Sequence, residues 1–163
     1  MNVIIAQILA LIVGIFYLLE DKETENNKIL LYNGISNVLI ATEYFLLGAI
    51  SGGICNIAAA LRNVYIYKSK GPVHIVVLIS YFLFVIAINI GSYDGVLSFL
   101  PVLLVIMYTS ALQTKNVKLI KYAVIAAYII EIIYDFYYMA YVSMLICIAG
   151  AIIALLSLRK IKE

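Results

Sequence analysis

Charge is scarce in this chain. Asp, Glu, Lys and Arg make up 12% of its 163 residues, while 66% are hydrophobic. A soluble domain of this size has too much surface to cover with so few charges. The basic residues lie in separate short clusters, not in one patch, which argues against a nucleic-acid partner. Histidine occurs once, at His74, and cysteine twice, at Cys55 and Cys147. The three have no metal-ligand spacing, and both cysteines sit in apolar runs, where free thiols behave as small hydrophobes. No zinc or iron site, no cofactor and no Ser–His or Cys–His catalytic set is expected, so the chain does not read as an enzyme. Met1–Gln7 lacks a basic n-region and no small-residue cleavage site follows Leu19, so no cleavable signal peptide is expected.

What remains is a series of apolar runs punctuated by basic clusters. Lys22 and Lys28 come first, then Arg62, Lys68 and Lys70, then Lys115, Lys118 and Lys121, then Arg159, Lys160 and Lys162. The turns halfway between them, around Ser51–Gly53, Gly91–Gly95 and Met139–Tyr141, carry no basic residue. Basic residues are retained on the cytoplasmic side during insertion, so the alternation predicts an N-terminus outside and a C-terminus in the cytoplasm. A crossing of ~30 Å takes about 20 helical residues. Asn2–Leu19, Val73–Ile90 and Val96–Gln113 each suit one crossing. Ile29–Tyr67 and Leu119–Leu158 each suit two, the first with its turn at Gly48–Gly53. The expected fold is an all-α membrane protein with seven transmembrane helices.

The order of single and double spans repeats. Residues 1–70 and 96–163 each read as a single span followed by a double one, with residues 71–95 as a linker helix introduced by Gly71-Pro72. Two parallel three-helix bundles joined by one helix (3+1+3) follow, related by an axis along the membrane normal. That plan suits a transporter more than an enzyme.

Ionisable groups inside a span cost roughly 2.5–3.5 kcal/mol each on insertion scales, so each needs a reason. Glu43 and Asp135 lie shallow enough to snorkel to the outer interface, while Glu131 lies near the midplane. Glu131 and Asp135 share one helix face, one turn apart, which makes them candidates with Glu43 for a proton or cation site. Arg62 either snorkels or meets an anion or Glu131 within the bundle. Asn33 and Asn37 pair on the second helix, and Asn56 and Asn63 on the third, as interhelical glue or a polar pathway. Pro101, the one proline inside a span, frees a backbone carbonyl one turn earlier and is a candidate hinge, with Gln7 as its counterpart in the first helix.

Tyr44-Phe45-Leu46-Leu47-Gly48, the following Gly53, and Ala60-Leu61-Arg62 running into Lys68–Lys70 resemble the YgjV family of small bacterial inner-membrane proteins. Leu100-Pro101-Val102 followed by Ser110-Ala111-Leu112 is a second match. The family pattern can place an Asn three residues before the Arg. Here that position is Ala59, with Asn56 one turn earlier. The span pattern is similar to the SWEET, PQ-loop and nicotinamide-riboside transporter group, although the Pro-Gln motif is absent. The resemblance implies the bacterial cytoplasmic membrane. The leading expectation is a facilitative or proton-coupled transporter of a small polar metabolite, monomeric or homo-oligomeric, with Asn37, Asn56, Arg62 and Glu131 binding substrate. The alternative is a membrane receptor or assembly factor on the same plan.

Overall fold

The computed structural model describes residues 2–23, 25–69, 73–93, 95–114 and 116–159. Lys70, Gly71, Pro72, Lys115, Lys160 and Lys162, which enter the basic clusters and the start of the fourth span, lie outside the described residues. Among the described residues the chain forms seven α-helices: α1 (Asn2–Lys22), α2 (Asn26–Leu47), α3 (Ile50–Ser69), α4 (Ile75–Gly91), α5 (Phe99–Gln113), α6 (Val117–Tyr137) and α7 (Tyr141–Leu158). A 3-10 turn at Val96–Ser98 leads into α5.

Three of these, α1, α2 and α7, are long and apolar enough to cross a membrane, and so is α5 taken together with the 3-10 turn before it, Val96–Gln113. The 17 residues of α4 are apolar but shorter. Helices α3 and α6 are long enough, but their apolar sequence is interrupted by Asn56, Arg62 and Asn63 and by Lys121, Glu131 and Asp135. Their polar groups face protein: Arg62, Asn63, Lys121 and Asp135 are all buried.

The main packing partners trace a closed ring. Helix α1 packs on α2, α2 on α3, α3 on α5, α5 on α6, α6 on α7, and α7 returns to α1. Helix α4 packs mainly on α3 and α5 and keeps most of its side chains exposed. Gly14 of α1 brings that helix against Ile146 of α7, and Val105 of α5 joins Cys55 of α3 in one packed cluster.

Two boundaries differ from the sequence reading. Helix α1 continues past Leu19 and takes Glu20 and Asp21 into the protein interior. The turn after α2 is confined to Gly48 and Ala49, so Ser51, Gly52 and Gly53 belong to α3 and are buried. The glycine at position 52 lets Tyr44 and Tyr134 close over the helix, since a Cβ there would meet both rings within 2.8–2.9 Å.

Helices α2 and α6 end in the same way. Gly48 adopts φ 80, its N–H donates to Phe45, and the Ala49 N–H reaches back to Tyr44 at 2.9 Å. In α6, Met139 adopts φ 58, its N–H donates to Phe136, and the Ala140 N–H reaches Asp135 at 2.8 Å. Both are Schellman closures, in which a left-handed residue lets two backbone donors satisfy the last carbonyls. A Met in that position carries a steric cost that Gly48 avoids. Gly48→Ala is expected to destabilise the protein by about 1 kcal/mol, and Met139→Gly to be neutral or slightly stabilising. Unfolding curves in detergent for the two variants check this asymmetry.

Candidate functional site

Two layers of buried polar groups lie on either side of a central cavity. The first is at the C-terminal end of α1. Glu20 accepts from the Asn33 amide at 3.0 and 3.1 Å and from the Tyr108 hydroxyl at 2.7 Å. Asn33 Oδ1 accepts in turn from Asn37 at 2.8 Å, Asn63 at 2.7 Å and Arg62 at 3.4 Å. The Arg62 guanidinium donates to Asn63 Oδ1 from Nε and Nη2, at 3.0 and 2.7 Å, and to Thr109 Oγ1 at 2.7 Å. It also lies over the Tyr108 ring, 5.3 Å from its centroid, a cation–π distance. Beside it, Lys121 Nζ donates to the backbone carbonyls of Glu20 and Asp21 and stands 3.9 Å from the Asp21 carboxylate, which also accepts from Tyr128 at 3.0 Å. Five helices are joined here, and the four charges balance.

The second layer is at the opposite end. Asp135 accepts from the Tyr44 hydroxyl at 2.7 Å. Glu43 accepts from Ser143 Oγ at 2.7 and 2.8 Å. The Tyr134 hydroxyl accepts from the Gly52 N–H at 3.1 Å and lies 3.2 Å from Ser51 Oγ. The Cys147 thiol lies 3.4 Å from Glu131 and 3.8 Å from Asp135. Above them Gln7 accepts from the Val142 N–H and donates to the Met139 carbonyl, tying α1 to the turn between α6 and α7. Three carboxylates meet in this layer, and no basic residue pairs with them among the described residues.

Between the layers lies a cavity of about 70 Å³ of water-accessible space, walled by α1, α2, α3, α5 and α6. All four residues expected to bind substrate, Asn37, Asn56, Arg62 and Glu131, line it, and so does Pro101. Glu43 and Asp135 do not line it. A separate space of about 10 Å³, enough for about one water, is bordered by Glu131, Asp135, Ser143 and Cys147. Among the described residues no group of His, Cys, Asp and Glu has the geometry of a metal site.

Several expectations change. Glu43 and Asp135 do not snorkel: they are 0% and 1% exposed and bonded to side chains of other helices. Arg62 does not snorkel and does not pair with Glu131: its guanidinium bonds to Asn63, Thr109 and Asn33. Lys121 is no loop residue but a buried partner of Asp21. Pro101 falls in the first turn of α5, where its missing N–H has no intrahelical partner to lose, so the broken hydrogen bond that suggested a hinge is not there. Gln7, the polar residue expected at the matching place in α1, ties that helix to the α6–α7 turn. The roles of Glu20, Asp21, Tyr108, Thr109, Lys121 and Tyr128 had no separate signal, because Glu20-Asp21-Lys22 at the end of an apolar run looks like an ordinary interface.

Removing one member of a buried ion pair leaves the other charge uncompensated, at a cost of about 3–5 kcal/mol. Lys121→Met is expected to lose stability on that scale, because Asp21 has no other basic partner as close among the described residues. The double variant with Asp21→Asn is expected to recover much of the loss. Thermal unfolding of the purified variants checks both.

With this geometry in view, comparison with known proteins is informative at the level of family. A family model described as a bacterial inner membrane protein, Imp-YgjV, matches residues 4–163. No curated protein and no solved structure matches the chain. The match spans nearly the whole sequence, and the chain belongs to this family of bacterial inner membrane proteins.

Proposed function

We propose that the protein carries a small polar metabolite across the inner membrane by opening the two polar layers alternately around the central cavity. The observation that carries this reading is the cavity itself. It holds a guanidinium, two carboxylates and three amides from Asn33, Asn37 and Asn56, yet both of its ends are closed by side chains drawn from several helices. Buried polar groups in a bilayer are costly, and groups that line an enclosed space, besides joining helices, are what a pathway for a polar solute requires.

A parallel 3+1+3 arrangement, pairing residues 1–70 with 96–163 around a linker at 71–95, is supported by reciprocal contacts at one chain offset. Tyr44 and Asp135, 91 residues apart, hold the same place in the two Schellman closures and hydrogen-bond to each other. At that offset Glu43 corresponds to Tyr134 and Gly52 to Ser143. Glu43 bonds Ser143, and Tyr134 bonds Gly52. Gly14 and Ile146 likewise correspond to Val105 and Cys55, and both pairs pack where one half meets the other. Such exchange of contacts is expected of a two-fold axis near the Tyr44–Asp135 bond, and because α2 and α6 close in the same way beside each other, an axis along the membrane normal is the reading it supports. Glu43, Glu131 and Asp135 then serve as the proton- or cation-responsive part of one closure.

The N-terminus is assigned outside and the C-terminus to the cytoplasm. Lys22, Lys28, Lys68, Lys118 and Arg159 remain at one end of the ring after Arg62 and Lys121 are set aside as buried. In intact cells a cysteine replacing Tyr93 is expected to react with an impermeant thiol reagent, and one replacing Lys118 to be protected. The reverse pattern would turn the molecule over.

Transport is tested by uptake of small polar metabolites into liposomes holding the purified protein. Saturable uptake is expected, with Glu131→Gln altering its pH dependence and Arg62→Met lowering affinity for substrates with an anionic group. Metabolite binding without flux would favour the receptor reading.

A further inference from the structure

We infer that the cavity takes a small zwitterion, with its carboxylate toward Arg62 and its ammonium toward Glu131. The inference rests on the transport reading above and names the substrate class for that same site.

The cavity lining contains three side chains that carry charge in their usual forms: Glu20, Arg62 and Glu131. Glu20 is already satisfied, with Asn33 on both carboxylate oxygens and Tyr108 on one. Arg62 differs. Its hydrogen bonds among the described residues end on neutral oxygens, those of Asn63, Thr109 and Asn33, and no carboxylate of the described residues stands within ion-pair distance of it. A carboxylate adds opposite full charge and can take two parallel N–H···O bonds from a guanidinium, which no neutral oxygen offers, so an arriving carboxylate improves on what Arg62 has. Glu131 is the complementary case. Its hydrogen bond comes from the Cys147 thiol at 3.4 Å, a weak donor, and no Lys or Arg pairs with it among the described residues. An ammonium would supply the three strong donors this carboxylate lacks.

The two groups are at opposite ends of the same space. Arg62 is seven residues from the end of α3 and Glu131 six from the end of α6, at opposite membrane faces. Helical rise across a crossing of ~30 Å leaves their Cα positions roughly 10 Å apart along the normal. That depth difference puts the two charges at different levels of one cavity, where a ligand with opposite charges a few bonds apart can meet both. With about 70 Å³ of water-accessible space the cavity suits a small ligand. The amides of Asn37 and Asn56 also face the cavity from two further positions, and both can donate and accept. A singly charged ligand would leave either Arg62 or Glu131 as it is, and a nonionic one both. The zwitterion satisfies each.

The test uses four probes on the purified full-length protein: free alanine, its N-acetyl derivative, its methyl ester, and glycerol. Binding is read as a saturable rise in melting temperature, and flux as liposome uptake. Alanine is expected to bind at least tenfold more tightly than either blocked derivative, and glycerol not to bind. The blocked probes test the inference on the unaltered protein, so it does not depend on a variant that fails to fold. In Glu131→Gln the free and N-acetyl forms are expected to bind alike. Equal or tighter binding of a blocked probe or of glycerol, with flux retained, overturns the substrate class and leaves the transport reading in place. No binding and no flux with any of the four overturns this inference, and flux of other polar metabolites then decides whether the transport reading stands.

Discussion

A charged or amide side chain inside a bilayer must find its partners within the protein, and the arrangement of this chain follows from that requirement. Arg62 illustrates it. Placed within α3, it has no water to solvate it, so Asn63 beside it, Asn33 on α2 and Thr109 on α5 must come within hydrogen-bond distance. Those contacts fix α2, α3 and α5 around one point. Asn33 then reaches Glu20, and Lys121 reaches the Glu20 and Asp21 carbonyls, which brings in α1 and α6. Apolar packing by itself has little to separate one helix order from another in lipid, since lipid tails are as apolar as leucine. The polar contacts supply the specificity.

The same logic explains why α3 and α6 carry so many polar groups within their lengths. They lie at the middle of the network of buried bonds, with α3 contributing Asn56, Arg62 and Asn63 and α6 contributing Lys121, Tyr128, Glu131, Tyr134 and Asp135. Helix α4 is the opposite case. It contributes Asn89, whose amide holds the Ser98 carbonyl ahead of α5, and Tyr81, which borders the same space as Arg62 and Thr109, while most of its remaining side chains are apolar and exposed. A helix outside the ring has only this one edge on the polar centre.

Helix number and approximate limits were legible in the sequence because they depend on length and hydropathy, properties of each segment alone. The site residues were legible in part for a similar reason. Asn37, Asn56, Arg62 and Glu131 stand out as polar residues in apolar runs, and they do line one cavity. What was not legible depends on partners from distant segments. Glu43 looked shallow enough to reach the interface, but Ser143, 100 residues away, donates a hydrogen bond to it inside the protein. Glu20, Asp21 and Lys121 looked like interface charges, and only the meeting of α1 and α6 makes them a buried set. The end of α6 had no glycine to mark it, since Met139 takes the left-handed position that Gly48 takes in α2.

The two layers differ in a way that bears on how they would open. At the Lys121 end, two carboxylates face two cations, so the layer is neutral by itself and is held by bonds that any opening must replace with water. At the Asp135 end, three carboxylates are held by hydroxyls and a thiol, with no cation among the described residues. Three negative charges so close in a low-dielectric setting repel one another, and the repulsion is relieved only by positive charge from elsewhere, as protons or a cation. In the proposed cycle this makes the closures unequal. The balanced layer responds to a substrate that competes for Arg62, whereas the acidic layer responds to the charge it takes up. Glu131 belongs to both, since it borders the central cavity and the small space beside Asp135. An ammonium drawn to Glu131 would therefore change the electrostatic balance of Asp135, and through Tyr44 the bond that joins α2 to α6.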